Sequence, residues 1–289
     1  MPVPDVAIAV LPYEHRQGRD MAQTPLDDLH WPLGRPERLA GGAVTDMGPQ
    51  DHLIVYPRTV THVHARRGVR ARVSLLMGEP AAIHGKHIAL LHLTGRRFWR
   101  VLTFNDTLLR RLPNAVLMPY GTTWVPNWRD LSLKKTRMIS LIASAKRDSA
   151  GHKLRHAVAD WLGDTGRDDV DVIGGGYAPF EEKSDGLAPY RYSVVIENVR
   201  ERNYFSEKLI DAILCDTVPI YWGCPNIADF LPTDGMVICQ SEADIRRAID
   251  ACTPEDYARR VTHLRAIKPK AEAFCDLERR AAQAIAESL

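Results

Sequence analysis

The chain has 289 residues, 45% of them apolar and 26% charged, with a net charge of +2. That length suits two domains of ordinary size, and that composition suits a globular core. The small net charge leaves no broad electrostatic footprint for nucleic acid, and no apolar run reaches the ~18 residues that a transmembrane helix needs. Contact with a membrane surface stays compatible with such a chain. The first fifteen residues, MPVPDVAIAVLPYEH, lack a basic leader region and a small-residue cleavage site. Residues 6–11 therefore read as a first strand rather than a signal peptide, and a cytoplasmic location is expected.

Residues 12–50 are rich in proline, glycine and charge, and no periodic element emerges there. Residues 53–56 read as a strand. The basic segment 60–72 is ambiguous between helix and loop. Residues 73–77 form a strand pattern that ends in Gly78-Glu79-Pro80. Proline biases the residue before it towards extended backbone, so Glu79 is a strand-end carboxylate able to project into a cleft. Residues 99–104 and 116–118 are further strands. Two prolines and a glycine interrupt residues 119–127, which reads as a linker. The expected domains are 1–122 and 123–289.

In the second domain, residues 138–143 form a strand and 151–162 a helix carrying Arg155. Val170–Ile173 is a strand running into Gly174-Gly175-Gly176. Residues 193–196 and Val218–Trp222 are strands on either side of a helix. The region from Pro254 reads as helical, ending in one long helix over about 271–288. Strands alternating with helices predict an α/β fold with parallel sheets.

The most telling stretch is 192–223, YSVVIENVRERNYFSEKLIDAILCDTVPIYWG. Its strand ends in Glu197 and Asn198. A helix then opens around Tyr204-Phe205-Ser206-Glu207-Lys208, with Leu209, Ile210, Ile213 and Leu214 on one face. Ligands of open α/β sheets sit beyond the carboxyl ends of the strands. Ser206 can cap the helix, and the free N–H groups of its first turn attract an anion. Lys208 can add a point charge to a phosphate, and Glu207 can accept from ribose hydroxyls. The plain alternative is an ordinary helix start with an adjacent Glu–Lys pair.

Rival motifs are weaker. The glycines 174–176 do not form G-x-G-x-x-G or a P-loop, so a tight turn is expected. Asp169-Val170-Asp171 starts a strand, away from the carboxyl edge, and reads as a solvated turn rather than a metal pair. His62, His64, His84, His87 and His92 lack zinc spacing and read as surface or acceptor-side residues. Arg66, Arg67, Arg70 and Arg72 are a solvated face or a site for an anionic lipid-linked or phosphorylated ligand. The five cysteines form no C-x-x-C pair, so free thiols are expected.

The run E-N-x5-Y-x-S-E-K-x-x-D-A followed by V-P-I-Y-W-G resembles the C-terminal signature of the α-1,3/1,4-fucosyltransferase family, glycosyltransferase family 10. That family has threonine where Ser206 stands. Residues 135–144, Arg155 and 172–176 resemble earlier donor-domain elements, and residues 72–80 resemble the acceptor-domain strand that ends in a Gly-Glu step. The resemblance implies a GT-B-like fold of two Rossmann-like domains facing a cleft, with the last helix packing back on the first domain. It implies inverting transfer of L-fucose from GDP-fucose to a hydroxyl of a glycan or glycolipid acceptor. Glu79 would be the catalytic base. Arg155, Glu197, Asn198, Tyr204, Ser206, Glu207 and Lys208 would bind the donor. No cofactor and no metal site is required, although a divalent ion could stimulate turnover. A different nucleotide sugar, or binding without catalysis, are the alternatives.

Overall fold

A computed structural model describes residues 6–15 and 20–289. Residues 1–5, part of the N-terminal run read above, lie outside the described residues. The chain divides into two compact units, Met1–Tyr120 with Asp276–Leu289, and Gly121–Cys275.

The first unit holds a parallel sheet of β1 (Ile8–Val10), β2 (His52–Val55), β3 (Arg72–Leu76), β4 (Val101–Thr103) and β5 (Ala115–Leu117), paired in chain order. Short apolar strands of this kind need cover on both faces. One face is covered between strands by α1 (Thr59–His64), α2 (Ala81–Thr94) and α3 (Asp106–Arg111). Leu91 and Leu108 meet Leu53, Val73 and Leu75 there. Right-handed crossovers between strands in simple order all fall on one side, which leaves the other side bare. The end of the chain covers it. Leu277, Ala281, Ala282 and Ile285 of α8 (Leu277–Ala286) pack on Ile8, Val10, Ile54 and Leu102.

Residues 20–50, unassigned from sequence, fold as single turns of 3-10 helix that bury Met21, Leu26, Leu39 and Val44 in the first core. Buried Asp51 anchors the segment, accepting from the backbone of Ala7 at 2.9 Å and Gly48 at 2.7 Å and pairing with Arg38. The ambiguous stretch 60–72 becomes α1 followed by a turn.

The second unit holds a parallel sheet ordered β10-β9-β8-β6-β7. The strands are β6 (Arg137–Ile142), β7 (Val170–Ile173), β8 (Tyr190–Ile196), β9 (Val218–Trp222) and β10 (Val237–Ile238). Helix α4 (Ala150–Thr165) joins β6 to β7, and α5 (Glu207–Leu214) joins β8 to β9. The apolar face expected on α5 is present: Leu209, Ile210, Ile213 and Leu214 are fully buried. Helices α6 (Glu242–Asp250) and α7 (Pro254–Glu272) complete the unit.

The single long helix expected over 271–288 is instead two helices. Helix α7 ends at Glu272, and Asp276 caps α8 by accepting from the Arg279 N–H at 2.8 Å. An aspartate that caps a new helix competes with continuing the old one.

Candidate active site

In the second sheet, β6 lies between β7 and β8, so the loops that leave the carboxyl ends of β6 and β8 part to opposite sides. Such a switch point opens a crevice where α/β proteins bind ligands. A cavity of about 350 Å³ lies there. Ala143 and Ser144 line it after β6, Gly174 and Gly175 after β7, and Ile196 and Asn198 at the end of β8.

Glycine is required at two of its edges. Gly174 has a φ of 117°, and a Cβ there would strike the Ala143 carbonyl. A Cβ on Gly151 would run into the carbonyl oxygen of Glu197. The bare Gly151 lets α4 start against the end of β8, and its N–H donates to the Asn198 carbonyl at 2.9 Å. The Ser149 hydroxyl caps α4 by accepting from the His152 N–H at 3.1 Å.

Arg155 projects from the second turn of α4 and is 5% exposed. Its guanidinium donates to the Ile196 carbonyl at 2.8 and 3.0 Å and to Asn198 Oδ1 at 2.8 Å. Those bonds fix a planar cation at the cavity wall. Burial holds its pKa below the usual arginine value.

Helix α5 begins at Glu207, with Tyr204 and Phe205 in the segment that leads into it and Ser206 extended just before it. Ser206 caps it, its Oγ accepting from the Lys208 N–H at 3.4 Å. Glu197 is fully buried and accepts from the Ser206 N–H at 2.8 Å and the Ser206 hydroxyl at 2.6 Å. Burial raises the Glu197 pKa, and Lys208, 4.0 Å away, pulls it down. Glu197 thus clamps the helix start. It does not line the cavity, and neither do Tyr204 and Ser206, which are each 1% exposed.

Glu207 and Lys208 do line it. The adjacent Glu–Lys pair forms, with Lys208 Nζ 3.0 Å from Glu207 Oε1. Burial acts to raise the Glu207 pKa, but Lys208 and Lys183 outweigh it and hold the carboxylate at about 2. Burial likewise acts to lower the Lys208 pKa, and Glu207 and Glu197 raise it overall. Both side chains are therefore charged near neutral pH.

Lys183 went unread in the sequence. Its Nζ lies 2.7 Å from Asp211 and 3.6 Å from Glu207, and it faces the exposed ring of Trp124. Asp211 is buried and also accepts from the Thr123 hydroxyl at 2.5 Å. A signal existed: Glu207 and Asp211 are four apart on a helix that is apolar but for them and Lys208, and buried carboxylates need a cation. Lys183 itself sits in a polar run without periodicity, so the sequence did not say which cation. Phe180, Leu187 and Trp124 give one part of the cavity an apolar lining, while His152, Arg155 and Lys208 make another part polar.

The remaining candidates fall elsewhere. Glu79 is half-buried beyond the carboxyl end of β3, the middle strand of the first sheet, just ahead of α2. Asp169 and Asp171 pair with Arg167 and Arg137, away from the cavity lining. Among the described residues no group of three His, Cys, Asp or Glu side chains is arranged to hold a metal. Of the two readings given for the histidines, the surface one does not hold for His62 and His84, which are 2% and 8% exposed. The reason is packing: His62 Nε2 lies 3.1 Å from His87 Nδ1 where α1 meets α2. All five cysteines are free. No helix among the described residues is long and apolar enough to cross a membrane.

No protein-family model matches the chain. A stretch of 53 residues is 42% identical to the α-(1,3)-fucosyltransferase of Helicobacter pylori, covering 18% of this chain and 11% of that one. A stretch of 56 residues is 39% identical to GDP-fucose protein O-fucosyltransferase 3 of Bos taurus, covering 19% and 12%. The matches thus span about an eighth or less of those relatives' length. Among solved structures, the pneumococcal O-GlcNAc transferase in complex with UDP and GlcNAc has a TM-score of 0.54 at 14% identity, covering 91% of this chain and 61% of that one. At that identity the likeness is one of fold, an α/β fold with two parallel sheets of the GT-B kind. Short stretches of the chain are thus similar to fucosyltransferases, in line with the resemblance read from the sequence, and the fold is α/β with two parallel sheets.

Proposed function

We propose that this chain is an inverting glycosyltransferase that moves L-fucose from GDP-fucose to a hydroxyl of a glycan or glycolipid. The observation that carries the reading is the cavity at the switch point of the second sheet, where the start of α5 and two cations meet. Arg155 and Lys208 receive the diphosphate, helped by the N–H groups of the α5 start. Glu207, held ionised, accepts from the ribose hydroxyls. Asn198 orients Arg155. Glu197, Ser206 and Tyr204 act from behind the lining by fixing the position of that helix start.

In the reaction, Glu79 as carboxylate takes the proton of the acceptor hydroxyl. The oxygen bonds to the anomeric carbon as the bond to the diphosphate breaks, and GDP leaves with the electron pair. Charge grows on the diphosphate in that step, and fixed cations already in place stabilise it without reorganising. Two cations and a helix start supply the countercharge that a metal supplies elsewhere, so turnover in the presence of a chelator is expected. The five free thiols fit a reducing, cytoplasmic setting.

A thermal-shift screen with GDP-fucose, GDP-mannose, UDP-sugars and dTDP-sugars tests the reading. A ligand stabilises the native state by RT ln(1 + [L]/Kd), so the true donor stands out. GDP-fucose should give the largest shift. A larger shift with a UDP- or dTDP-sugar would reassign the donor, and no shift with any of them would remove the proposal.

A further inference from the structure

From His52 to Arg111 the chain carries eleven lysine and arginine residues and two acids, Glu79 and Asp106. The overall balance of +2 hides this asymmetry. Arg66, Arg67 and Arg70 follow α1, and Lys86, Arg96 and Arg97 lie in or just past α2, where α1 packs on α2 and α2 on α3. Lys86 of α2 reaches the Thr59 hydroxyl of α1 at 3.1 Å. Arg97, just past α2, donates to the carbonyls of His62 at 3.0 Å and Val63 at 3.1 Å. The helices and the basic turns after them therefore make one continuous surface.

Two features of that surface are unusual. Arg66, Arg67, Arg70, Arg96 and Arg111 are all exposed, and none has an acidic partner among the described residues. Surface arginines elsewhere in the chain are commonly paired, as Arg137 is with Asp171 and Arg167 with Asp169 and Asp250. Secondly, α2 reads AAIHGKHIALLHLT, yet only His84 and Leu91 are buried in it. Ile83 is 52% exposed, Leu93 86%, and nearby Val63 54%. Aliphatic side chains thus stand outward among unpaired cations. His92, Leu93, Arg96 and Arg111 also line a recess of about 320 Å³, two guanidiniums beside the most exposed leucine.

An acidic protein or a nucleic acid would answer the cations and leave the aliphatic groups without a partner. An anionic lipid interface answers both, since lipid phosphates meet the cations while apolar side chains enter the acyl boundary. We propose that this face docks the protein peripherally on a bilayer rich in anionic phospholipid, with the Arg96–Arg111 recess seating a headgroup phosphate. A surface so placed would deliver the first unit to membrane-borne acceptors.

Sedimentation of the full chain with vesicles tests this. Vesicles of phosphatidylcholine alone are compared with vesicles containing equal parts of phosphatidylcholine and phosphatidylglycerol. The protein should pellet with the mixed vesicles only, and less so as salt rises. Each cation near such a surface contributes roughly fivefold in partitioning. Arg66→Glu with Arg67→Glu should therefore lower binding by at least ~25-fold, and Arg96→Glu with Arg111→Glu by as much again. Leu93→Ser keeps every charge and should still weaken binding several-fold, an effect a purely ionic partner would not predict. All these positions are exposed, and unchanged melting curves would show that the variants stay folded. Equal pelleting with both vesicle types, no pelleting with either, or wild-type binding by the charge-reversed variants would each overturn the proposal. Capture by heparin with no binding to vesicles would overturn it as well, in favour of a soluble polyanion. GDP titration on the same samples keeps this result separate from the donor-site reading.

Discussion

Both units are built on five parallel strands, but the strands are strung differently. In the first sheet they follow chain order, β1 to β5. No neighbouring pair sends its loops apart, so the order itself opens no crevice. In the second sheet β6 sits between β7 and β8, and the crevice at that point holds the candidate donor cavity. The same order has a second consequence for the first unit. With all crossovers on one side, its other face depends on α8 from the end of the chain. Strand order thus decides both where a ligand can sit and which distant segment each unit needs.

That contrast can be broken at several points. The largest effect is expected from Glu79→Gln. It should reduce turnover by ~10²–10⁴-fold while GDP affinity stays within error. Steady-state kinetics and calorimetry on one preparation separate the two. Full turnover would move the base elsewhere, and a matching loss of GDP affinity would make Glu79 a binding group.

Next comes the cover of the first sheet. Ile285 is fully buried against it, so Ile285→Ala should cost about 2–5 kcal/mol in denaturant unfolding. Hydrogen exchange should show the loss in strands β1 and β2. Protection lost only in the second sheet would contradict the role given to α8.

Acid should act on the two units unequally. Burial holds His52, His62 and His84, all in the first unit, at about 4 against an ordinary 6.5. Between those values the unfolded chain binds more protons than the folded one. Their contribution is therefore complete above about 6.5 and is lost as pH falls towards 4, at ~1.4 kcal/mol per pH unit for each. In the second unit, Glu207 is held at about 2 against 4.5, so its contribution fades only as pH falls through that lower window. The first unit should lose exchange protection first on acidification from pH 7 to 5. The reverse order would mean that the histidines are not shielded as the packing of α1 and α2 indicates.

The smallest effect concerns the cavity. Lys208 is already paired with Glu207, so its loss removes one cation and frees one carboxylate. Lys208→Ala should weaken GDP about tenfold, in the range of a charge-assisted hydrogen bond. Unchanged affinity in calorimetry would leave the diphosphate to Arg155 and the helix start alone.

Much of the second unit could be read in advance because its signals are local. The strand Val170–Ile173 and the strand Val218–Trp222 have the bounds expected of them, and Ser206 is the helix cap. What escaped was tertiary. Lys183 matters through two carboxylates that are far along the chain from it. Glu197, which looked like a ligand group at a strand end, turns inward to hold Ser206, and only burial could tell the two roles apart. In the first unit, residues 20–50 carry no period because they form separate single turns of 3-10 helix, with Asp51 binding Arg38 and the Gly48 N–H. Helix α2 passed unread since its apolar residues do not segregate to one face. The lone helix expected at the C-terminus failed at Asp276, a capping signal within an otherwise helical run.

The most direct test is a crystal structure of the protein with GDP. The diphosphate should lie between the Arg155 guanidinium, Lys208 Nζ and the first N–H groups of α5, with the ribose against Glu207. A nucleotide bound anywhere else, or one that reaches Glu197 while leaving Arg155 and Lys208 untouched, would contradict the assignment of the switch-point cavity as the donor site.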